Sequence, residues 1–315
     1  MPMVMEPFLI TLSNNAVLSG LASLPKRSSN SPQFYPLLVA VHGGTYSSEY
    51  FNASPSHSGG TISVQFGVPF VAIDRPGYRG SSALPSIPSD SSFFQEEGRY
   101  MHQYILPRLW EEYGQSSGAS TIVLMGHSLG CSACIIAPAL HSQEKEARYP
   151  LAGVVLSGRS ITSRLTKSQG EAQLAEARRV GYVEYPPGVK DPIMFGDPNQ
   201  GFATPELRRI SEQITQRGLV GEFEDRRLQW DNYWTEYAKQ VKVPVMAAIG
   251  EHDRLFEASQ KDLYNLTSAF TASPKVETVF VAGAPHCLEL SHWGTGWYAR
   301  CFGFAIECAT SAALA

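Results

Sequence analysis

The sequence has 315 residues, of which 43% are hydrophobic and 17% charged, and its formal net charge is −4. This composition supplies a sizeable core and excludes a disordered chain, and the slight acidity points to neither nucleic acid nor membrane as a partner. The N-terminus has no basic region before an apolar run, and no apolar stretch approaches the ~18 residues of a membrane span. We therefore expect no signal peptide, no membrane span and a cytoplasmic location.

The first predicted elements are an antiparallel hairpin and a buried strand. Residues 8–12 and 16–21 favour strands and flank a turn-forming Asn-Asn pair. The stretch 25–36 is rich in Ser and Pro, and we expect it to form a surface loop. Residues 37–41 are all apolar, as in strands that are buried on both faces.

A glycine-rich segment, His42-Gly43-Gly44, follows this strand and continues into Thr45 and Tyr46. Glycine allows the backbone to approach a ligand closely and to present bare N–H groups. The segment is therefore a candidate ligand-binding loop, and an ordinary glycine-rich turn is the alternative.

Another buried strand is predicted for residues 69–73, followed by a turn and a helix. The turn reads Asp74-Arg-Pro-Gly-Tyr-Arg-Gly-Ser81, and we expect its role to be structural. Apolar residues recur at helical spacing over 92–113. Pro107 lies inside this stretch and is expected to bend the helix.

The strongest chemical signal lies in residues 121–131. Four apolar residues predict a buried strand, Gly126, Ser128 and Gly130 fit the pattern Gly-x-Ser-x-Gly, and a run of small apolar residues predicts a buried helix. Strand, sharp turn and helix are the context of a nucleophile elbow, in which the serine backbone is strained and side chains at the two glycines would collide with adjoining elements. His127 is expected to pack rather than to react.

The second half of the chain predicts strands at 151–157, 243–249 and 276–281 and a closing helix over 288–315. Between the first two of these strands, residues 159–242 are polar, charged and interrupted by prolines. Helices are expected in three stretches of this segment: 164–180, 205–217 and 224–240.

With these motifs the chain resembles the α/β-hydrolases over nearly its whole length. The resemblance implies an α/β-hydrolase fold, with a mostly parallel eight-stranded sheet flanked by helices and a helical cap inserted after strand six. The core would comprise residues 1–158 and 243–315, and the cap residues 159–242. In its details the chain most resembles fungal members encoded beside toxin and polyketide pathways.

The resemblance also implies a Ser-His-Asp triad. Ser128 matches the nucleophile, Asp253 matches the acid that the family places after a strand ending in Gly-x-x-Asp, and His286 matches the base in the loop after the last strand. A helix cap is the alternative role for Asp253. The near alternatives are Glu251 and His252 for the acid, and His292, expected inside the closing helix, for the base.

In this family the oxyanion is bound by main-chain N–H groups, which here would be those of Gly44, with Thr45 as the alternative, and of Leu129. Arg159 directly follows strand six and could meet an acidic group of the substrate. The candidate substrate-binding residues outside the aromatic set are Thr45, Tyr46 and Arg159. Six aromatic residues of the cap are further candidates, and each could instead pack the cap against the core: Phe195, Phe202, Trp230, Tyr233, Trp234 and Tyr237.

These residues imply hydrolysis of an ester, thioester or lactone of a small, largely apolar molecule through an acyl-enzyme, with no metal and no cofactor. The expected partner is that small acyl substrate, and the sequence leaves the oligomeric state open. One alternative is an acyltransferase, cyclase or lyase that uses the same triad without hydrolysis. The other is a binding protein that has kept the fold and lost the activity.

Overall fold

The computed structural model describes residues 5–27, 31–186 and 188–315. Residues 1–4 of the N-terminal segment, residues 28–30 of the expected surface loop and Pro187 of the expected cap lie outside this description.

One eight-stranded sheet organises the fold, in the spatial order β1-β2-β4-β3-β5-β6-β7-β8. The first two strands form the predicted antiparallel hairpin, β2 also pairs antiparallel with β4, and every pairing from β4 to β8 is parallel. The sheet is thus mostly parallel, as expected. In chain order its strands are β1 (Glu6–Thr11), β2 (Val17–Ser23), β3 (Pro36–Val41), β4 (Phe70–Ile73), β5 (Thr121–His127), β6 (Leu151–Ser157), β7 (Val245–His252) and β8 (Val276–Pro285).

Helices flank the sheet and fill the connection between β6 and β7. They are α1 (Gly59–Phe66), α2 (93–117), α3 (Cys131–His141), α4 (Lys167–Val180), α5 (Lys190–Phe195), α6 (Pro205–Gln213), α7 (Val220–Leu228), α8 (Trp234–Ala238), α9 (Gln260–Thr267) and α10 (Gly294–Leu314). Both α3 and α10 pack on β5, which is buried along its whole length. Short 3₁₀ turns and a two-stranded ribbon complete the elements: Ser48–Phe51, Ser128–Gly130, Pro198–Gln200, Trp230–Asn232, Leu288–Leu290, and Asn52–Ser54 paired with His57–Ser58.

The proline inside α2 is accommodated by a local change of helix type. The helix contains two π turns, Met101–Ile105 and Trp110–Gly114. Pro107 comes directly after the first of them, in the first turn of the α-helical stretch Leu106–Leu109. A π turn moves the hydrogen-bond register by one residue, so the N–H that proline lacks is tolerated there.

The closing helix starts later than the sequence predicts, and His292 lies before it rather than inside it. Residues Leu288–Leu290 form a 3₁₀ turn, and α10 begins at Gly294. Ser291 separates the two because its backbone is extended and its hydroxyl accepts the Trp293 N–H at 3.3 Å. The extended backbone at Ser291 therefore ends the 3₁₀ turn before α10 begins.

In the described part of the connection between β6 and β7, which omits Pro187, there are five helices, α4 to α8. Two of the predicted stretches form α4 and α6, and the third is divided between α7 and α8 by a 3₁₀ turn. The unpredicted helix α5 contains Pro192, which is tolerated because it lies in the first turn. In the parts of the chain that the structure describes, no helix has the length and apolarity needed to cross a membrane.

Gly250 of β7 lies close against the backbone at the end of β8. A Cβ atom there would lie 2.3 Å from the Pro285 carbonyl oxygen and 2.5 Å from that of Ala284. The register of the pair shifts at this point, between Val281 and Pro285. The absence of a side chain at Gly250 therefore sets where the chain leaves β8.

We expect Gly250→Ala to lower the free energy of unfolding by about 2–4 kcal/mol, because the colliding atoms belong to the backbone and cannot rotate away. Gly303 is the matched control: it is exposed in α10, and an added Cβ meets no atom within 4 Å. Gly303→Ala should raise the free energy of unfolding by about 0.5–1 kcal/mol. Urea denaturation of both variants checks this, and an equal effect of the two substitutions would contradict it.

Candidate active site

Ser128 joins β5 to α3 and has a left-handed backbone, with φ of 51°. A non-glycine residue in this region carries strain, on the order of 1–3 kcal/mol. A Cβ atom at Gly126 would lie 2.9 Å from the Cys131 Cα atom, and one at Gly130 would lie 2.4 Å from the Val41 carbonyl oxygen. Both glycines are therefore needed for the steric reason that the sequence pattern indicates.

The three predicted triad residues form one continuous hydrogen-bonded chain. His286 Nε2 lies 3.1 Å from Ser128 Oγ, and His286 Nδ1 lies 2.6 Å from Asp253 Oδ2. The other carboxylate oxygen of Asp253 accepts the N–H groups of Leu255 at 2.8 Å and Phe256 at 2.9 Å. These bonds hold the carboxylate so that one oxygen faces the imidazole. The geometry permits general-base catalysis, and the catalytic roles stay predictions.

The two alternatives to Asp253, Glu251 and His252, make contacts with residues other than His286. Glu251 is exposed and accepts a main-chain N–H of β8 at 2.8 Å, so it joins the ends of two strands. His252 is exposed and stacks on the Phe202 ring, with 4.7 Å between centroids. Asp253 does not cap a helix, because α9 begins at Gln260 and Ser259 supplies its N-cap.

The glycine-rich loop after β3 lies directly against the elbow. A Cβ atom at Gly43 would lie 2.9 Å from Ser128 Cβ, and one at Gly44 would lie 2.7 Å from Leu129 Cδ1. Gly44 and Leu129 both border the cavity into which Ser128 opens. Their placement suits the predicted oxyanion role, which stays a prediction.

Thr45, the alternative oxyanion donor, has both of its main-chain polar groups occupied. Its N–H donates to the Tyr78 hydroxyl at 3.3 Å, and its carbonyl accepts from Lys190 Nζ at 2.8 Å and from the Gln216 N–H at 2.9 Å. Its φ of 61° is unusual for a β-branched residue. The contacts from Lys190 and Gln216 mean that the β6–β7 connection holds this strained loop in place, and they favour Gly44 as the donor.

The turn that begins at Asp74 is structural, as expected. Asp74 accepts the Ser48 N–H at 2.8 Å and the Ser19 hydroxyl at 2.6 Å. The buried Arg75 guanidinium is shared between Glu97, at 2.7 Å, and Glu222 of α7, at 2.8 Å. Glu222 also accepts the hydroxyl of Tyr78. The turn therefore links the sheet to the β6–β7 connection beneath the glycine-rich loop.

A buried polar network that the sequence did not reveal lies beneath the elbow. Glu289 accepts the Ser157 hydroxyl at 2.6 Å, the Tyr50 hydroxyl at 2.7 Å and the Trp297 indole N–H at 2.9 Å. Ser157 Oγ lies 3.0 Å from Nδ1 of His127. Burial holds the pKa of His127 well below its ordinary value, so this histidine is neutral and packs against the network.

Ser128 opens into a cavity of about 370 Å³. Two helices of the β6–β7 connection border it with residues at helical spacing, Gly170 and Leu174 of α4 and Phe223 and Arg226 of α7. The sequence contains this spacing, but it does not show which face of each helix points to the serine. Apolar side chains supply most of the wall: Leu129, Leu165, Leu174, Met194, Phe223, Leu228, Leu255 and Phe256.

The predicted substrate-binding side chains do not border this cavity. The Tyr46 hydroxyl lies 2.7 Å from that of Ser211, and the Tyr233 hydroxyl donates to Asp225 at 2.8 Å. The hydroxyl groups of Tyr46 and Tyr233 are therefore occupied by partners within the protein. The predicted residues that lie off the cavity wall are Thr45, Tyr46, Arg159, Phe195, Phe202, Trp230, Tyr233, Trp234 and Tyr237.

Comparison with known proteins agrees with this architecture. The sequence model of the Alpha/beta hydrolase family matches residues 38–297. No curated protein matches the sequence.

Several solved structures share the fold at low identity. A soluble variant of monoglyceride lipase from Saccharomyces cerevisiae has a TM-score of 0.67 at 13% identity, covering 97% of this chain and 95% of that one. A thermophilic esterase from Thermogutta terrifontis has a TM-score of 0.64 at 14% identity, covering 96% and 99%. The thioesterase domain of the curacin biosynthetic pathway has a TM-score of 0.57 at 14% identity, covering 96% and 99%.

The lowered pKa of the buried Lys190 amine should affect how the stability of the protein depends on pH. Burial lowers the pKa of its amine from 10.5 to about 7, so the folded protein binds fewer protons than the unfolded chain between those values. Its contribution to stability therefore rises with pH across this window. We expect Lys190→Met to show a smaller rise than the wild type in urea denaturation at about pH 7, 8.5 and 10.

Lys167→Met is the matched control, because the Lys167 side chain is 91% exposed. This variant should retain the pH slope of the wild type. If the free energy of unfolding rises equally with pH in the wild type and in Lys190→Met, burial does not lower the pKa of the Lys190 amine.

Proposed function

The chain belongs to the alpha/beta hydrolase family, and from this premise we propose that it is a serine hydrolase that cleaves an ester, thioester or lactone of a small, largely apolar molecule. One observation carries the proposal: the hydrogen-bonded chain from Asp253 through His286 to Ser128 ends at a mainly apolar cavity. A serine hydroxyl is a weak nucleophile until a neighbouring base accepts its proton, and His286 is placed to do so.

In the proposed reaction, Ser128 Oγ attacks the substrate carbonyl while its proton passes to His286 Nε2. Asp253 holds the imidazole in the required tautomer and stabilises the imidazolium without taking the proton. The N–H groups of Gly44 and Leu129 bind the oxyanion, where one such donor is typically worth ~10²–10³ in rate. The leaving group departs with the proton from His286, and water, activated in the same way, hydrolyses the acyl-enzyme.

We also propose that residues 159–242 act as a cap on a core of residues 1–158 and 243–315. Support comes from α4 and α7, which supply much of the cavity wall opposite Ser128. In this arrangement the cap determines which substrates fit. The setting that we propose, fungal specialised metabolism, rests on the resemblance of the sequence to fungal members of the family.

Acyl transfer to a nucleophile other than water is the second candidate. The side chains of the triad are deeply buried, and Ser128 itself is only 6% exposed. Restricted access of water favours an acceptor that the cavity binds. The fold itself supports both outcomes.

The triad predicts a specific pattern of mutant kinetics. Ser128→Ala, His286→Ala and Asp253→Asn should each lower kcat by ~10³–10⁴ or more without unfolding the protein. Glu251→Gln is the control for the acid and should stay close to wild type. Hydrolysis of p-nitrophenyl esters of increasing acyl length measures these effects. If Asp253→Asn stays active and Glu251→Gln loses activity, the acidic member of the triad is Glu251 rather than Asp253.

A fluorophosphonate probe separates the remaining possibilities, because it labels only an activated serine. Labelling of Ser128 with turnover of the esters supports a hydrolase. Stable acylation without turnover, relieved by added alcohols or amines, supports the transferase. Absence of both labelling and turnover would overturn the proposal and favour a ligand-binding protein.

A further inference from the structure

Arg159 is a buried cation beside the cavity with no acidic partner in hydrogen-bond range. It is 1% exposed, and its two terminal nitrogens have no hydrogen-bond partner among residues 5–27, 31–186 and 188–315. Its guanidinium lies over two aromatic rings, 4.9 Å from the centroid of Trp230 and 5.2 Å from that of Phe256. Burying an unpaired charge destabilises a fold unless something compensates it. The aromatic faces compensate only part of this cost.

A second cation, Arg226, lies against the same Phe256 ring, 5.5 Å from its centroid. Arg226 belongs to α7 and borders the cavity together with Ser128. Burial and then repulsion from Arg226 lower the pKa of Arg159 to about 9. The ion pair of Arg226 is a long one, 3.4 Å to Asp231, whose side chain is 66% exposed.

Asp231 also borders the cavity, but among the residues that the structure describes its one ion pair is the long one with Arg226. The remaining charged groups on the wall do not neutralise the two arginines. Lys167 and Glu171 are exposed and lie 3.9 Å from each other. Arg227 donates to the amide oxygen of Gln173. The cavity is thus apolar around Ser128 and carries an excess of positive charge at the Phe256 ring.

We propose that Arg226, with Arg159 against the same Phe256 ring, forms a subsite for a carboxylate that the substrate carries. The proposal rests on the proposed function and narrows it: the substrate is an ester or thioester whose apolar body also bears a carboxylate. Arginine suits this role because its planar fork pairs with both carboxylate oxygens. The bound carboxylate then fixes the substrate carbonyl at Ser128 and selects against neutral esters.

This arrangement gives Arg159 a reason to stay unpaired. A permanent acidic partner would neutralise the cation and weaken its attraction for the substrate. Proteins retain such unfavourable groups where binding depends on them. A guanidinium that serves packing alone would be replaceable by an apolar side chain at a gain in stability.

Kinetic discrimination tests the subsite. The substrates are p-nitrophenyl half-esters of four- to nine-carbon dicarboxylic acids, each compared with the isosteric neutral carboxamide. A second series, 4-acyloxybenzoates against 4-acyloxybenzamides, places the carboxylate on the leaving group. In one of the two series the wild type should favour the carboxylate by about 10- to 100-fold in kcat/KM, as expected for a charged hydrogen bond. A ratio near one in both series would overturn the proposal.

Substitutions assign the preference to the two arginines. Arg226→Gln and Arg159→Met should bring the carboxylate-to-carboxamide ratio close to one, and Arg226→Lys should retain part of it. Arg178→Gln is the matched control, because Arg178 is an exposed cap arginine that pairs with Glu224. A wild-type ratio in either Arg226→Gln or Arg159→Met would exclude that residue from the subsite.

Thermal stability separates a binding role from a structural one. Arg159→Met should raise Tm, because an unbranched apolar side chain can stack between Trp230 and Phe256 without an unpaired charge. A lower Tm with an unchanged kinetic ratio would show that Arg159 is structural and would overturn its part in the subsite.

A binding measurement distinguishes failure of the subsite from failure of the proposed function. Ser128→Ala is titrated calorimetrically with the monoanilide of adipic acid and with its neutral carboxamide. Tighter binding of the carboxylate, lost on adding Arg226→Gln, supports the subsite even if the wild type hydrolyses nothing. Equal binding of the two ligands overturns it even if the wild type hydrolyses neutral esters through Ser128.

Discussion

The left-handed backbone at Ser128 is the constraint on which the site depends. A non-glycine residue keeps that conformation only where its surroundings allow no other. Here β5 is buried along its length, with α3 and α10 packed against it. Gly126 and Gly130 let Cys131 and the end of β3 come within contact of the turn. In this conformation the Ser128 hydroxyl lies at the end of the strand, within hydrogen-bond distance of His286 and at the wall of the cavity.

A second strained residue, Thr45, joins the core to the connection between β6 and β7. Its carbonyl accepts hydrogen bonds from Lys190 and Gln216, and its N–H donates to Tyr78, which in turn bonds to Glu222 of α7. The glycine-rich loop therefore takes its shape from residues more than a hundred positions along the chain. If the connection acts as a cap, it would hold the glycine-rich loop in place as well as enclose the substrate. Changes in the cap would then alter the rate of the chemical step along with the substrate range.

The cavity combines two environments with different consequences. Around Ser128 the wall is apolar, which strengthens hydrogen bonds to a developing oxyanion by excluding water. At the Phe256 ring, Arg226 and Arg159 leave positive charge with little compensation. Because the fold hosts many chemistries, the scaffold does not select a substrate. In the proposed function, selectivity would depend on how the bound molecule matches these two environments.

The sequence by itself determined the strands of the sheet and the elbow, because these follow from local backbone requirements. Through the order of its motifs it also predicted the three residues that form the hydrogen-bonded chain at Ser128. Only the tertiary structure decided that His292 lies before α10, that the Thr45 N–H is occupied, and that Glu289 organises a buried network. It also showed that the aromatic residues predicted within 159–242 lie off the cavity wall. Those outcomes depend on contacts between side chains far apart in the chain, and helical spacing within residues 159–242 does not reveal which face of a helix meets the serine.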